Sequence, residues 1–95
     1  MGCSAYVAER YEVKWVCTDI RLDEIENFVR ELENSEHHEV VWYKSDSDMQ
    51  YEFGRSGLEE VIKNENISAK SKEIAKKLLE IGDKNSTFVR VEFSM

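Results

Sequence analysis

The spacing of apolar residues switches along this 95-residue chain between two and three-to-four, which limits it to a mixture of strands and amphipathic helices. From Glu9 to Cys17, Tyr11, Val13, Trp15 and Cys17 alternate with Glu12, Lys14 and Val16. That is the pattern of a half-buried strand with the first set turned inward. The stretch Ser4–Ala8 either extends this strand or forms a separate lead-in. Thr18 and Asp19 are candidate helix caps. Leu22, Ile25, Phe28, Val29 and Leu32 then share one helical face, so a helix is expected to run to Asn34 or Ser35. A second strand is expected over His38–Lys44, apolar on both sides of the pleat. Val40/Trp42 and Val41/Tyr43 are both credible inward pairs, and a shift of one residue exchanges them. Ser45-Asp46-Ser47-Asp48 is a turn cluster, and Gln50–Phe53 resumes the alternation, so the two strands read as a hairpin.

Beyond the break at Gly54, Ser56-Gly57-Leu58-Glu59 has the form of a capping box. Leu58, Val61 and Ile62 make a short apolar stripe that Asn64-Glu65-Asn66 interrupts. Ser68 can cap a further helix with Ile67, Ser71, Ile74, Ala75, Leu78, Leu79 and Ile81 inward. Gly82 is placed to end it in the left-handed conformation. Thr87, Val89, Val91 and Phe93 alternate against Phe88, Arg90 and Glu92 in a last strand. The order βαββαβ is the ferredoxin-like arrangement of an α+β domain. One domain over residues 1–95 is expected. It would have a four-stranded antiparallel sheet with its helices on one face, the second helical region broken near Asn64–Asn66. The absence of proline and the presence of only four glycines agree with short connections.

The net charge of −7 is unevenly spread. Residues 19–52 hold eleven acids against three bases, whereas residues 53–95 hold seven acids against eight bases. Proteins that grip nucleic acid or anionic lipid present clustered Lys and Arg, so neither direct nucleic-acid binding nor a membrane surface fits this chain. No apolar run has the length of a transmembrane span. The opening Met-Gly-Cys-Ser lacks the Ser or Thr at position 6 of a myristoylation signal, where Tyr6 stands. The cytoplasm is the expected compartment, with Cys3 and Cys17 as reduced thiols and Cys17 buried.

Motifs for chemistry are weak. Glu36-His37-His38-Glu39 is rich in metal-ligand types, but adjacent strand residues point to opposite faces, so the two imidazoles do not reach one ion. Asp46 and Asp48 resemble a calcium loop only until its sixth position, where Tyr51 replaces the required glycine. Gly54-Arg55-Ser56-Gly57 could hold an anion at a helix start, although a cap explains the same residues. No nucleophile has a base near it in sequence. No catalytic residue, metal or cofactor is therefore expected, and the chain is not read as an enzyme.

The function expected from charge asymmetry is non-catalytic docking of an acidic face on a basic protein surface, as inhibitors, immunity proteins, antitoxins and nucleic-acid mimics do. The expected partner is a basic protein surface, a protein that itself handles nucleic acid being one candidate, and the chain is expected to be a monomer or homodimer. The expected contacts are Asp23, Glu24, Glu31, Glu36, Glu39, Asp46 and Asp48, with Trp42 and Tyr43 as anchors. The alternative is a regulatory domain that binds a small molecule or assembles through its sheet.

Overall fold

Two of the five strands arise where the sequence pattern reads as one. In the computed structural model, which describes residues 5–10, 14–45 and 49–93, β1 (Ala5–Arg10) and β2 (Lys14–Thr18) form an antiparallel pair. The chain continues through α1 (Leu22–Glu33), a 3-10 turn (His38–Val40), β3 (Val41–Ser45), β4 (Gln50–Gly54), α2 (Arg55–Lys63), α3 (Ala69–Ile81) and β5 (Phe88–Phe93). The fold is α+β, with one five-stranded sheet in the order β2-β1-β5-β4-β3, every neighbour antiparallel. This corrects the four-stranded ferredoxin-like expectation in two ways. There is an extra strand, and the last strand lies in the middle of the sheet rather than at its edge.

The break at Asn64–Asn66 explains the second difference. One helix between two strands carries the chain back for a parallel return. Two packed helices carry it out and back, so β5 starts where β4 ends, and Phe88 pairs with Gly54. Ser68 caps α3 as expected, its side chain accepting from the Ser71 N–H at 3.3 Å. The other cap expectations need correction. α1 begins after Arg21, whose N–H donates to Glu24 Oε1 at 2.8 Å. α2 begins directly after Gly54, so Ser56 lies inside its first turn and caps nothing. Gly82 is extended rather than left-handed.

The core lies between the helices and one face of the sheet. Val7, Tyr51, Phe53, Val89, Val91 and Phe93 face Ile25, Phe28, Val29 and Leu32 of α1, Leu58 and Val61 of α2, and Ile74, Ala75 and Leu78 of α3. β5 buries Val89, Val91 and Phe93 and α1 buries Ile25, Phe28, Val29 and Leu32, as their periodicities single out, whereas Leu22 is only partly buried and Thr87 is exposed ahead of β5. The facing of β2 is the reverse of the expectation. Val16 pairs with fully buried Val7, so Cys17, opposite Tyr6, lies on the open face and is exposed. Nor is Cys17 a free thiol: it is disulfide-bonded, and the only other cysteine in the sequence is Cys3, outside the described residues. Among the described residues, no helix is long and apolar enough to cross a membrane.

In β3, neither expected inward pair forms. Register slips by one between Val41, which pairs with Phe53, and Tyr43, which pairs with Glu52. The bulge turns Val41 to the core and leaves both Trp42 and Tyr43 exposed, at 53% and 42%. Val40, in the 3-10 turn, is buried.

Candidate functional site

Six of the nine expected contact residues fall into two groups of three. Asp23, Glu24 and Glu31 lie on α1 beside the start of α3, in a depression of about 400 Å³ that Arg21 and Lys70 also line. Internal bonds occupy these acids. Glu24 meets Lys70 Nζ at 2.6 Å, and Asp23 meets Arg21 Nε at 3.3 Å. Glu31 accepts from Ser68 N at 2.9 Å, Ser68 Oγ at 2.8 Å and Ser71 Oγ at 2.6 Å. It fixes the first turn of α3 onto α1, which is a structural task.

Both carboxyls are held below their ordinary value of 4.5, Glu31 chiefly by the Ser71 hydroxyl and Glu24 chiefly by Lys70. A depressed folded-state value means that the stabilisation is present above the unfolded value and is lost as pH falls through the folded one. Thermal stability is therefore expected to drop as pH is lowered from about 4.5. Replacing Glu31 by Gln should flatten that acid limb and remove about 1 kcal/mol at neutral pH, after discounting for solvent screening. Thermal melts of both proteins across the acid range check this, and an unchanged acid limb would contradict it.

Glu36, Glu39 and Trp42 form the second group. They line a groove of about 330 Å³ together with His37, Val40, Gly54, Ser56, Gly57 and Glu60. Three local features build it. The 3-10 turn ends on buried Val40, and α2 settles against that side chain because residue 57 is glycine: a Cβ there would stand 2.6 Å from Val40 Cγ2. The β3 bulge turns Trp42 outward, and its indole lies over Gly54, where a Cβ would stand 2.6 Å from Nε1. Phe88 supports the ring from β5, centroid to centroid 5.9 Å. Asn64, just past α2, ties the far side by donating from Nδ2 to Glu36 Oε1 and His37 Nε2, each at 2.8 Å.

Among the described residues no Lys or Arg lines this groove, and Glu39 and Glu60 have no hydrogen-bond or ion-pair partner. The depression adjoining it shares Glu36, His37 and Glu60, and adds Glu65 and one cation, Lys63. Glu60 and Glu65 lie outside the acidic stretch read from the sequence; the packing of α2 against the 3-10 turn brings Glu60 to Glu36. Tyr43 is on the open sheet face opposite Glu52. Asp46 and Asp48, and with them the calcium-loop reading, lie outside the described residues.

The remaining chemical candidates are otherwise engaged. The Arg55 guanidinium donates to the carbonyls of Asp83 at 2.6 Å and Ser86 at 3.2 Å, so it latches the α3–β5 connection and is not directed at an anion. On the open face Arg90 donates to Gln50 at 2.9 Å and lies between Glu52 and Glu92. Among the described residues no three His, Cys, Asp or Glu side chains converge at metal-binding distance. The fold and groove together define a small α+β domain with a tryptophan-walled acidic cleft. Comparison with protein-family models, curated proteins and solved structures returned no match.

Proposed function

We propose that the protein is a non-catalytic binding protein that docks on a basic surface of another protein, in the manner of an inhibitor, an immunity protein or antitoxin, or a nucleic-acid mimic. The observation that carries this reading is the groove between the 3-10 turn, Trp42 and α2. Its carboxylates Glu39 and Glu60 are unpaired within the described chain, and no lining cation opposes them. Acids already paired inside a fold gain little from a partner's cation, whereas unpaired ones beside an exposed aromatic gain charge complementarity and apolar contact together. The docking surface is therefore centred on Glu39, Trp42 and Glu60, with Glu36, held by Asn64, at its edge. Asp23, Glu24 and Glu31 belong to the fold's internal bonding.

The test is capture from source-cell lysate with the immobilised protein, at low and at high salt. Three baits are compared: the wild type, Glu39→Gln/Glu60→Gln, and a control of equal charge change, Glu26→Gln/Glu80→Gln. A protein with a basic surface should be held by the wild type at low salt and released at high salt. The groove variant should retain it roughly tenfold less well, and the control about as well as the wild type. Capture insensitive to salt, or equal losses for the groove variant and the control, would remove the docking reading.

A further inference from the structure

We infer that the groove is a receptor for a single arginine side chain of the partner, with the Trp42 indole as its stacking wall and Glu39 and Glu60 as its counter-charges. This deepens the docking reading and rests on it. The first argument is the state of Trp42. It is half exposed, yet Gly54 beneath it and Phe88 beside it hold the ring, so little conformational freedom is lost when a ligand lies against it. An exposed, pre-positioned tryptophan is the strongest aromatic receptor for a cation.

The second argument is the distribution of charge. Glu36, Glu39 and Glu60 all line the groove, but no three metal-ligating side chains converge among the described residues. Dispersed carboxylates do not suit a compact ion. They suit a planar cation that stacks by its face and carries several donors around its rim, which describes guanidinium and not ammonium. The third argument is size. About 330 Å³ is near the lower end of the range for ligand clefts, enough for a side chain. An anionic ligand is opposed by the carboxylates, and a neutral one would leave them without a counter-charge.

The test uses a Trp15→Phe background, in which Trp42 is the only tryptophan and its emission reports on the groove. The probes are three blocked tripeptides, Gly-Arg-Gly, Gly-Lys-Gly and Gly-citrulline-Gly, the last a neutral isostere of arginine. The arginine peptide should give a saturable emission change with a dissociation constant on the order of millimolar, the strength of one side chain in one groove. The lysine peptide should bind several-fold more weakly, and the citrulline peptide should give no saturable change. Glu39→Gln/Glu60→Gln should weaken arginine binding several-fold, with the thermal midpoint measured alongside to show that the variant is folded. Equal responses to arginine and citrulline, or to arginine and lysine, would overturn the inference, as would a carboxylate variant that binds the arginine peptide unchanged. The lysate experiment separates its failure from that of the docking reading. If capture stays salt-sensitive and dependent on Glu39 and Glu60 but is unaltered by Trp42→Ala, docking stands and the arginine receptor falls.

Discussion

Replacing Phe53 by alanine is expected to remove about 3–5 kcal/mol of folding free energy, close to the whole stability of a small domain. Phe53 is fully buried in the penultimate strand of the sheet order, paired with Val89 on one side and Val41 on the other. Its ring meets that of Phe28 edge-on at 5.3 Å, so it joins the sheet to α1. Truncation loses the transfer energy of the ring and leaves a cavity walled by strand and helix backbones that close only partly. Phe88→Ala is the comparison. Phe88 is half buried on the opposite face, packs against Trp42, and should cost about 1 kcal/mol, the value of an aromatic pair plus partial burial. Urea titrations of the two variants check the order. Equal losses, or a loss for Phe53→Ala below about 1.5 kcal/mol, would show that the core does not lie on the face assigned here.

That assignment was legible in β5 and α1, where local periodicity and tertiary burial agree. Val89, Val91 and Phe93 alternate with polar neighbours, and Ile25, Phe28, Val29 and Leu32 recur at helical spacing, so either element buries the same residues whatever it packs on. The first hairpin was not legible. Its connection, residues 11–13, reads Tyr-Glu-Val and holds none of the Gly, Asn, Asp or Pro that mark a turn. Period-two alternation therefore runs through it as though one strand continued, and the facing of Val16 and Cys17 comes out reversed. The facing of β3 depended on a bulge, which inserts a residue without leaving a mark in the apolar pattern.

The candidate site was half legible for the same reason. Glu36, Glu39 and Trp42 were singled out from local charge and aromaticity. Charge counted along the chain cannot separate a carboxylate that fastens the first turn of α3 to α1, as Glu31 does, from one that faces solvent, as Glu39 does. Nor could it find Glu60, which the packing of α2 brings to Glu36 from 24 positions away. The one available signal was the pair of glycines at 54 and 57, which mark places where side chains or backbone approach closely.

Gly54→Ala is expected to disable the groove while leaving the fold intact. A Cβ at this position would lie 2.6 Å from Trp42 Nε1 and 2.9 Å from Cε2, closer than non-bonded atoms tolerate, so the indole must swing away. It can do so because it is half exposed and its far side meets solvent. The backbone imposes no penalty of its own, since Gly54 sits at φ −67 and ψ 129, which alanine adopts readily. Two small effects then offset each other. Alanine restricts the unfolded chain, a gain of about 0.4–1 kcal/mol, and it is a poorer residue than glycine at the N-cap of α2, a loss of similar size. The thermal midpoint should stay within a few degrees of wild type, because a net change under about 1 kcal/mol moves it by no more than that. Acrylamide quenching of Trp42 in the Trp15→Phe background should rise, and capture of a salt-sensitive partner should fall roughly tenfold, the loss expected of a displaced hot-spot tryptophan. A variant with the same quenching and the same capture would mean that the ring has room to stay, and that its seat on Gly54 does not shape the groove. A displaced ring with undiminished capture would assign binding to the carboxylates alone, and Trp42 would then be an exposed side chain without a part in recognition.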